Sequence, residues 1–135
     1  MDIKLPPQTR KFILAVDDDK SVLRRLHTLL EGVGYEVHCA ESASEAIAAI
    51  GDRRPALVLT DIHLKESDGF ELINWMRSHT GSIPVIAMSK GNPRNPSELS
   101  MAEHLGAMAV IGKPVLPSLL ISTVTRVLKQ QGVAA

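Results

Sequence analysis

The sequence has one cysteine, no excess of either charge and no long apolar run near its start. Cys39 has no second cysteine with which to form an internal disulfide, and a single thiol in an apolar strand is expected to be buried. The 15 basic side chains balance the 15 acidic ones, so no overall field would attract nucleic acid or an anionic membrane. These absences favour a cytoplasmic domain that binds neither nucleic acid nor a membrane.

The length and hydrophobic content are those of a single compact domain. The chain has 135 residues, of which 44% are hydrophobic, which suits one core rather than two. Its start contains the pair Pro6-Pro7 and lacks the apolar segment of a secretory signal or a membrane anchor. We therefore predict a flexible tail over residues 1–10 and one domain over residues 11–131.

Short apolar segments alternate with segments of helical spacing along the whole chain. The apolar segments are nearly continuous, which is typical of strands buried on both faces of a parallel sheet. The predicted strands cover residues 12–16, 35–40, 57–61, 84–88 and 108–111. The helical apolar stripes are Leu23, Leu26, Leu30 and Val33, then Phe70, Ile73 and Met76, and finally Leu116, Leu120, Val124 and Val127. Ser42 and Glu45 form the capping-box pattern of a second helix, and a fourth helix is expected from about Ser97.

This alternation predicts a fold of the α/β class. Five strands and five helices without a repeat period favour a flavodoxin-like (βα)5 doubly wound parallel sheet with strand order 2-1-3-4-5. In such sheets ligands bind beyond the carboxyl ends of the strands, at the switch point between strands 1 and 3. The fold therefore predicts a ligand site at this switch point.

Acidic side chains follow the two strands that flank this switch point. Asp17 and Asp18 come directly after strand 1, and Asp61 ends strand 3. Two like charges about 4 Å apart repel by roughly 1 kcal/mol in water and roughly 4 kcal/mol at the effective dielectric of a protein margin. Such a cluster needs a cation, and an oxygen site with few protein ligands suits Mg²⁺.

A cationic and a hydroxyl side chain are predicted at the same edge. Lys113 ends strand 5 and Ser89 ends strand 4, so both should lie over the edge that carries Asp61. A carboxylate can be the nucleophile in phosphoryl transfer when charge on the transferred group is neutralised. Lys113 would supply a fixed positive charge for this, and Ser89 a hydrogen-bond donor.

Taken together, these residues resemble the receiver domain of bacterial two-component response regulators. The resemblance covers residues 11 to 130 and rests on five features in the right order, namely Asp17-Asp18, Asp61, Asp68-Gly69, Ser89 and Lys113-Pro114. Any one of these features alone is weak, whereas their order on alternating strands is specific.

The resemblance implies a role for each site residue. Asp61 would be the phosphoacceptor, Ser89 the switch hydroxyl and Lys113 the partner of the phosphoryl group, with a cis Lys113-Pro114 bond. Mg²⁺ would be held directly by Asp18 and Asp61, through water by Asp17, and by the backbone carbonyl of His63. The chain would be a signalling module and not a metabolic enzyme.

The resemblance also implies partners. A sensor histidine kinase or a phosphotransfer protein would donate the phosphoryl group, and a downstream protein would read the face formed by the fourth helix, strand 5 and the fifth helix. The loop at residues 91–96, rich in Gly, Asn and Pro, is predicted to become ordered on phosphorylation. Arg24 and Arg25 on the first helix could contact such a partner or could be solvated.

Three departures from the family pattern keep an alternative open. Lys65 stands where a proline is common, Lys90 where a small residue is usual, and Val110 where an aromatic side chain often couples to the switch hydroxyl. They favour a receiver-like interaction module in which phosphorylation is lost or impaired. His63 counts against a phosphohydrolase with a second acid at that position, and could tune the lifetime of the phosphoryl group or simply face solvent.

Overall fold

The computed structural model describes residues 10–64, 69–90, 100, 103–104 and 106–132. Lys65 and Asp68, the predicted loop at residues 91–96, the start of the predicted fourth helix and most of the predicted N-terminal tail lie outside the described residues. No helix among those described is long and apolar enough to cross a membrane.

The described strands form one parallel five-stranded sheet in the order β2-β1-β3-β4-β5. The strands are β1 (Phe12–Val16), β2 (Glu36–Ala40), β3 (Leu57–Asp61), β4 (Val85–Ser89) and β5 (Ala109–Gly112). The predicted fold class and strand order are thus confirmed.

Four helices are described alongside the sheet. They are α1 (Lys20–Glu31), α2 (Ala43–Asp52), α3 (Gly69–His79) and the C-terminal helix (Pro117–Gly132), which is the fifth helix predicted from the sequence. The predicted cap of α2 is confirmed, because the Ser42 side chain accepts a hydrogen bond from the backbone N–H of Glu45 at 3.1 Å. Asp19 caps α1 in the same way by accepting from the N–H of Ser21.

The sheet is buried on both faces, which explains its continuous apolar strands. On one face, α1 and the C-terminal helix cover alternate strand residues, including Ile13, Leu59 and Met88. On the other face, α2 and α3 cover the intervening residues, including Leu14 and Val58. Every residue of β1, β3 and β4 is buried, so the central strands are held firmly and their carboxyl ends are well placed.

Two apolar residues assigned to helical stripes are exposed instead. Val33 is 48% exposed because α1 ends at Glu31 and the chain then turns through Gly34, whose φ of +99° lies in the left-handed region that favours glycine. Leu116 is 58% exposed because it precedes the first residue of the C-terminal helix and does not reach its buried stripe.

The prediction that Cys39 is buried is wrong. The residue is exposed, with its sulfur 3.9 Å from the backbone carbonyl of Leu23. It lies on β2, an edge strand that pairs only with β1 among the described strands, so neighbouring residues leave the Cys39 side chain partly uncovered.

Candidate functional site

The two central strands bring a pair of buried aspartates together at the carboxyl edge of the sheet. Val16 of β1 pairs with Thr60 of β3, so Asp17 and Asp61 are the next residue on each strand. Asp17 is 0% exposed and Asp61 is 2% exposed. Two carboxylates are therefore removed from solvent side by side, at the switch point expected from the fold.

Lys113 joins these two carboxylates. Its Nζ donates hydrogen bonds to Oδ2 of Asp17 and to Oδ2 of Asp61. Lys113 follows β5, and its backbone N–H donates to the carbonyl of Ser89 at 2.8 Å, which extends the pairing of β5 with β4. The Lys113 side chain is only 7% exposed, so its ammonium is fixed among the carboxylates. The Lys113-Pro114 peptide bond is cis, as the resemblance implied.

The second oxygen of each carboxylate is held by the backbone. Asp17 Oδ1 accepts from the N–H of Asp19 at 2.9 Å, and Asp61 Oδ1 accepts from the N–H of His63 at 2.7 Å. In each case the donor lies two residues beyond the aspartate, the local turn that aspartate side chains commonly form. Both carboxylates are thus oriented from two sides. Sequence reasoning missed this role of Asp19 and His63, although aspartates at strand ends are typical of such turns.

Negative charge exceeds positive charge within this buried group. Burial raises the pKa of Asp17, and the hydrogen bond from Lys113 only partly opposes the effect. Burial alone would lower the pKa of Lys113, but the hydrogen bonds that its ammonium donates to Asp17 and Asp61 raise this pKa overall. One ammonium therefore serves two carboxylates, and the partly exposed Asp18 directly follows Asp17 in the sequence.

We predict that Asp17→Asn raises the thermal stability of the protein without divalent cations. A carboxyl whose folded-state pKa is raised binds its proton more tightly when folded, so its ionised form costs stability. The gain should appear as a higher unfolding midpoint at neutral pH. It should shrink as the pH falls toward the unfolded value of 3.8, where the wild-type carboxyl is also protonated.

Asp19→Asn is the matched control, because hydrogen bonds from Ser21 lower the pKa of Asp19. That variant should show no gain at neutral pH. A stability gain in Asp19→Asn equal to that in Asp17→Asn would contradict a specific charge excess at the buried pair.

The other predicted site residues lie around this group. Ser89 is fully buried at the end of β4, and His63 is exposed just beyond Asp61. Lys90 is exposed and Val110 is half-buried on β5. Direct contact is thus shown between Asp17, Asp61 and Lys113, while Ser89 and His63 share the same edge of the sheet.

The donor set fits a hard cation whose coordination is completed by other groups. Among the described residues, no three His, Cys, Asp or Glu side chains are grouped closely enough to hold a metal ion. Mg²⁺ is commonly bound by one or two carboxylates together with waters and phosphate oxygens. The buried charge excess at Asp17 and Asp61 suits such an ion, because one ammonium leaves part of the negative charge unbalanced.

Fold and site together define a class of protein: a doubly wound α/β domain with an acidic pair and a lysine at its switch point. The sequence profile of the response regulator receiver domain matches residues 13–125. The chain belongs to the response regulator receiver domain family.

Individual relatives agree with this assignment. The phosphate regulon transcriptional regulatory protein PhoB of Pseudomonas aeruginosa is 34% identical over 125 residues, which are 90% of this chain and 53% of that protein. The chain spans about half the length of the curated relatives first matched, such as the transcriptional regulatory protein GltR of the same organism, at 49% of its length.

Solved structures also show the fold. A response regulator receiver domain protein (CheY-like) from Methanospirillum hungatei has a TM-score of 0.87 and 31% identity, covering 94% of this chain and all of that one. NtrX from Brucella abortus, in complex with ADP, has a TM-score of 0.86 and 30% identity over 93% of this chain, but 29% of NtrX.

Proposed function

We propose that this chain is a phosphoacceptor of a two-component signalling system and that Asp61 receives the phosphoryl group. The observation that carries the proposal is the fixed geometry of Asp61. Its carboxylate is buried at the end of β3, with one oxygen held by the N–H of His63 and the other by the ammonium of Lys113. A nucleophile oriented in this way needs little rearrangement before it attacks.

The proposed reaction is a displacement at phosphorus. A carboxylate oxygen of Asp61 forms a bond to phosphorus while the P–N bond of a donor phosphohistidine breaks. The imidazole leaves with the electron pair of that bond and takes up a proton. With acetyl phosphate as donor, the P–O bond breaks and acetate leaves instead.

Lys113 and Ser89 would stabilise the product. The ammonium of Lys113 contacts Oδ2 of Asp61, which supports the proposal that it would pair with phosphoryl oxygens on that side chain. Ser89 ends the neighbouring strand β4 and would donate its hydroxyl as the switch residue. Phosphorylation of Asp61 would thus replace a contact between carboxylate and ammonium with one between phosphoryl group and ammonium.

We assign Mg²⁺ to the same edge of the sheet. Asp18 and Asp61 would bind it directly, Asp17 through water, and His63 through its backbone carbonyl. When bound, the ion would neutralise charge on the phosphoryl oxygens. Asp17 and Lys113 would balance the remaining charges and keep Asp61 in its orientation.

The partners follow from the same proposal. The donor would be a sensor histidine kinase or a phosphotransfer protein in the cytoplasm. A downstream protein would contact the face formed by β5, the C-terminal helix and the predicted fourth helix, which lies mostly outside the described residues. Met108 directly precedes β5, Leu116 directly precedes the C-terminal helix and Leu119 lies at its start; each is at least 41% exposed, which supports an apolar contact beside these elements.

The direct test of this function is the intact mass of the folded chain after incubation with acetyl phosphate and Mg²⁺. Addition of one phosphoryl group is expected. A folded chain that gains no mass from acetyl phosphate or from a phosphorylated donor would instead favour an interaction module without phosphorylation.

We predict that Asp18→Asn weakens both Mg²⁺ binding and phosphoryl uptake at least tenfold. Removing one carboxylate deletes a direct ligand from a site that has few protein ligands. In wild-type protein, Mg²⁺ at 100 times its Kd should stabilise the fold by about 2.7 kcal/mol, which a thermal unfolding titration can detect. Asp18→Asn should need a much higher Mg²⁺ concentration for the same shift.

Asp52→Asn serves as the control for this titration, because Asp52 is an exposed aspartate at the end of α2. It should titrate like the wild type. Equal Mg²⁺ dependence in the Asp18 and Asp52 variants would show that the proposed ligand set is misplaced.

A further inference from the structure

An arginine on α1 contacts the segment that follows Lys113. The Nη2 atom of Arg25 donates a hydrogen bond to the backbone carbonyl of Val115 at 3.1 Å, across 90 residues of sequence. Val115 is two residues beyond Lys113, with Pro114 between them. The Val115 carbonyl lies just before the first turn of the C-terminal helix, where the Leu116 carbonyl accepts from the N–H of Leu120.

The N-terminal end of α1 contacts the acidic side of the site. Asp19 caps α1 through its side chain, and its backbone N–H holds Oδ1 of Asp17. Asp17 in turn is bound by Lys113. One helix is therefore joined to both ends of the ion pair, to the carboxylate through Asp19 and to the lysine segment through Arg25. The contacts form a closed ring.

The link from Val115 back to Lys113 is short and stiff. Pro114 has a fixed φ, and Val115 is only 4% exposed, packed in the apolar cluster that α1 shares with the C-terminal helix. On its other side, Lys113 is anchored by its backbone bond to Ser89. Few rotatable backbone bonds separate the Val115 carbonyl from Lys113. A movement of this carbonyl is therefore expected to shift Lys113 as well.

We infer that Arg25 is a positioning residue that holds Lys113 in place over Asp61 through the Val115 carbonyl. For its effect on phosphorylation the inference rests on the function proposed above, but the position of Lys113 can be measured without that function. Arg25 acts on the backbone beside Lys113 and not on the phosphoryl group. Its loss is expected to release the ammonium from Asp17 and Asp61 part of the time.

Two other arginines provide matched controls. Arg24 is the adjacent exposed residue of α1, and it borders a surface cavity together with Lys20 and Cys39. Arg24→Gln thus removes the same charge from the same helix. Arg54 contacts a different loop, with Nη2 2.6 Å from Oγ of Ser82, so Arg54→Gln removes an arginine contact between two other distant parts of the sequence.

The first measurement is the rate of reductive methylation of Lys113 in the folded protein, read by peptide mass spectrometry and divided by the rate at exposed Lys129. In wild-type protein the buried, paired ammonium of Lys113 should react slowly. Arg25→Gln should raise the ratio at least threefold, Arg25→Lys should give an intermediate value, and Arg24→Gln and Arg54→Gln should leave it unchanged. Were Arg25→Gln not to fold, Arg25→Lys and Arg24→Lys would be compared instead.

The second measurement is the rate of phosphoryl uptake from acetyl phosphate at saturating Mg²⁺. Phosphoryl uptake by Arg25→Gln should be roughly tenfold slower than uptake by Arg24→Gln. This expected loss is smaller than the roughly hundredfold loss of rate that a 1 Å misplacement of a reacting group can cause. Equal methylation ratios in the Arg25 and Arg24 variants, or an equal rise in Arg54→Gln, would overturn the inference even if phosphorylation occurs. Wild-type protein that takes up no phosphoryl group would overturn the proposed function, while the methylation ratios would still decide the role of Arg25.

Discussion

Asp61→Asn is expected to abolish phosphoryl uptake while the protein remains folded. The neutral amide lacks the negative charge that makes the carboxylate oxygen nucleophilic enough to attack phosphorus. Its oxygen can still accept the hydrogen bond from the N–H of His63, which is 2.7 Å from Asp61 Oδ1 in the wild type. The local turn should therefore survive. Intact mass after incubation with acetyl phosphate and Mg²⁺ should show no added phosphoryl group.

Asp19→Asn is the control for this experiment. Asparagine is also a good helix cap, and the backbone N–H of residue 19 that holds Asp17 is retained. This variant should take up one phosphoryl group, as the wild type does. Peptide mapping that placed the group on Asp17, Asp18 or Asp68 would contradict the assignment of Asp61 as the acceptor.

Lys113→Met is expected to lower the stability of the protein strongly when no divalent cation is present. The substitution keeps much of the side-chain volume but removes the ammonium that contacts both Asp17 and Asp61. Leaving a buried charge without its partner costs about 3–5 kcal/mol. For a domain of this size that corresponds to roughly 10 °C or more in unfolding midpoint. Thermal unfolding in the presence of a chelator measures the loss.

A double variant distinguishes unbalanced charge from lost packing as the cause of the lower stability of Lys113→Met. Asp17→Asn in the Lys113→Met background removes one of the two unbalanced charges and should restore a large part of the stability. Lys129→Met, which changes an exposed lysine, should have little effect. A double variant no more stable than Lys113→Met would show that charge is not the cause. Phosphoryl uptake should also fall in Lys113→Met, since the product loses its cation.

Several site residues could be located from the sequence because parallel strands share one carboxyl edge. Asp61 ends a short apolar segment that is typical of a buried strand, and Lys113 follows another such segment. Once both segments are placed in the same parallel sheet, their ends must meet at one edge, whatever the details of packing. The same reasoning placed Ser89 at that edge.

Side-chain contacts between elements far apart in the sequence could not be predicted from the order of the strands. The sequence shows Arg24 and Arg25 as neighbouring arginines on a helix, equally suited to solvent or to a partner. Only the packing of α1 against the C-terminal helix decides that Arg25 reaches the Val115 carbonyl. No local pattern near Arg25 contains that information, because its acceptor is 90 residues away.

The sequence by itself determined the alternation of strands and helices, the order of the sheet and the edge at which Asp17, Asp61 and Lys113 meet. These features follow from local periodicity and from the short-range rules that connect parallel strands. The tertiary structure alone decided that one ammonium serves both buried carboxylates, that Cys39 and Leu116 are exposed, and that α1 is joined to the lysine segment. Those outcomes depend on where each helix ends and on which strand lies at the edge of the sheet. Both are decided by packing between side chains that are far apart in the sequence.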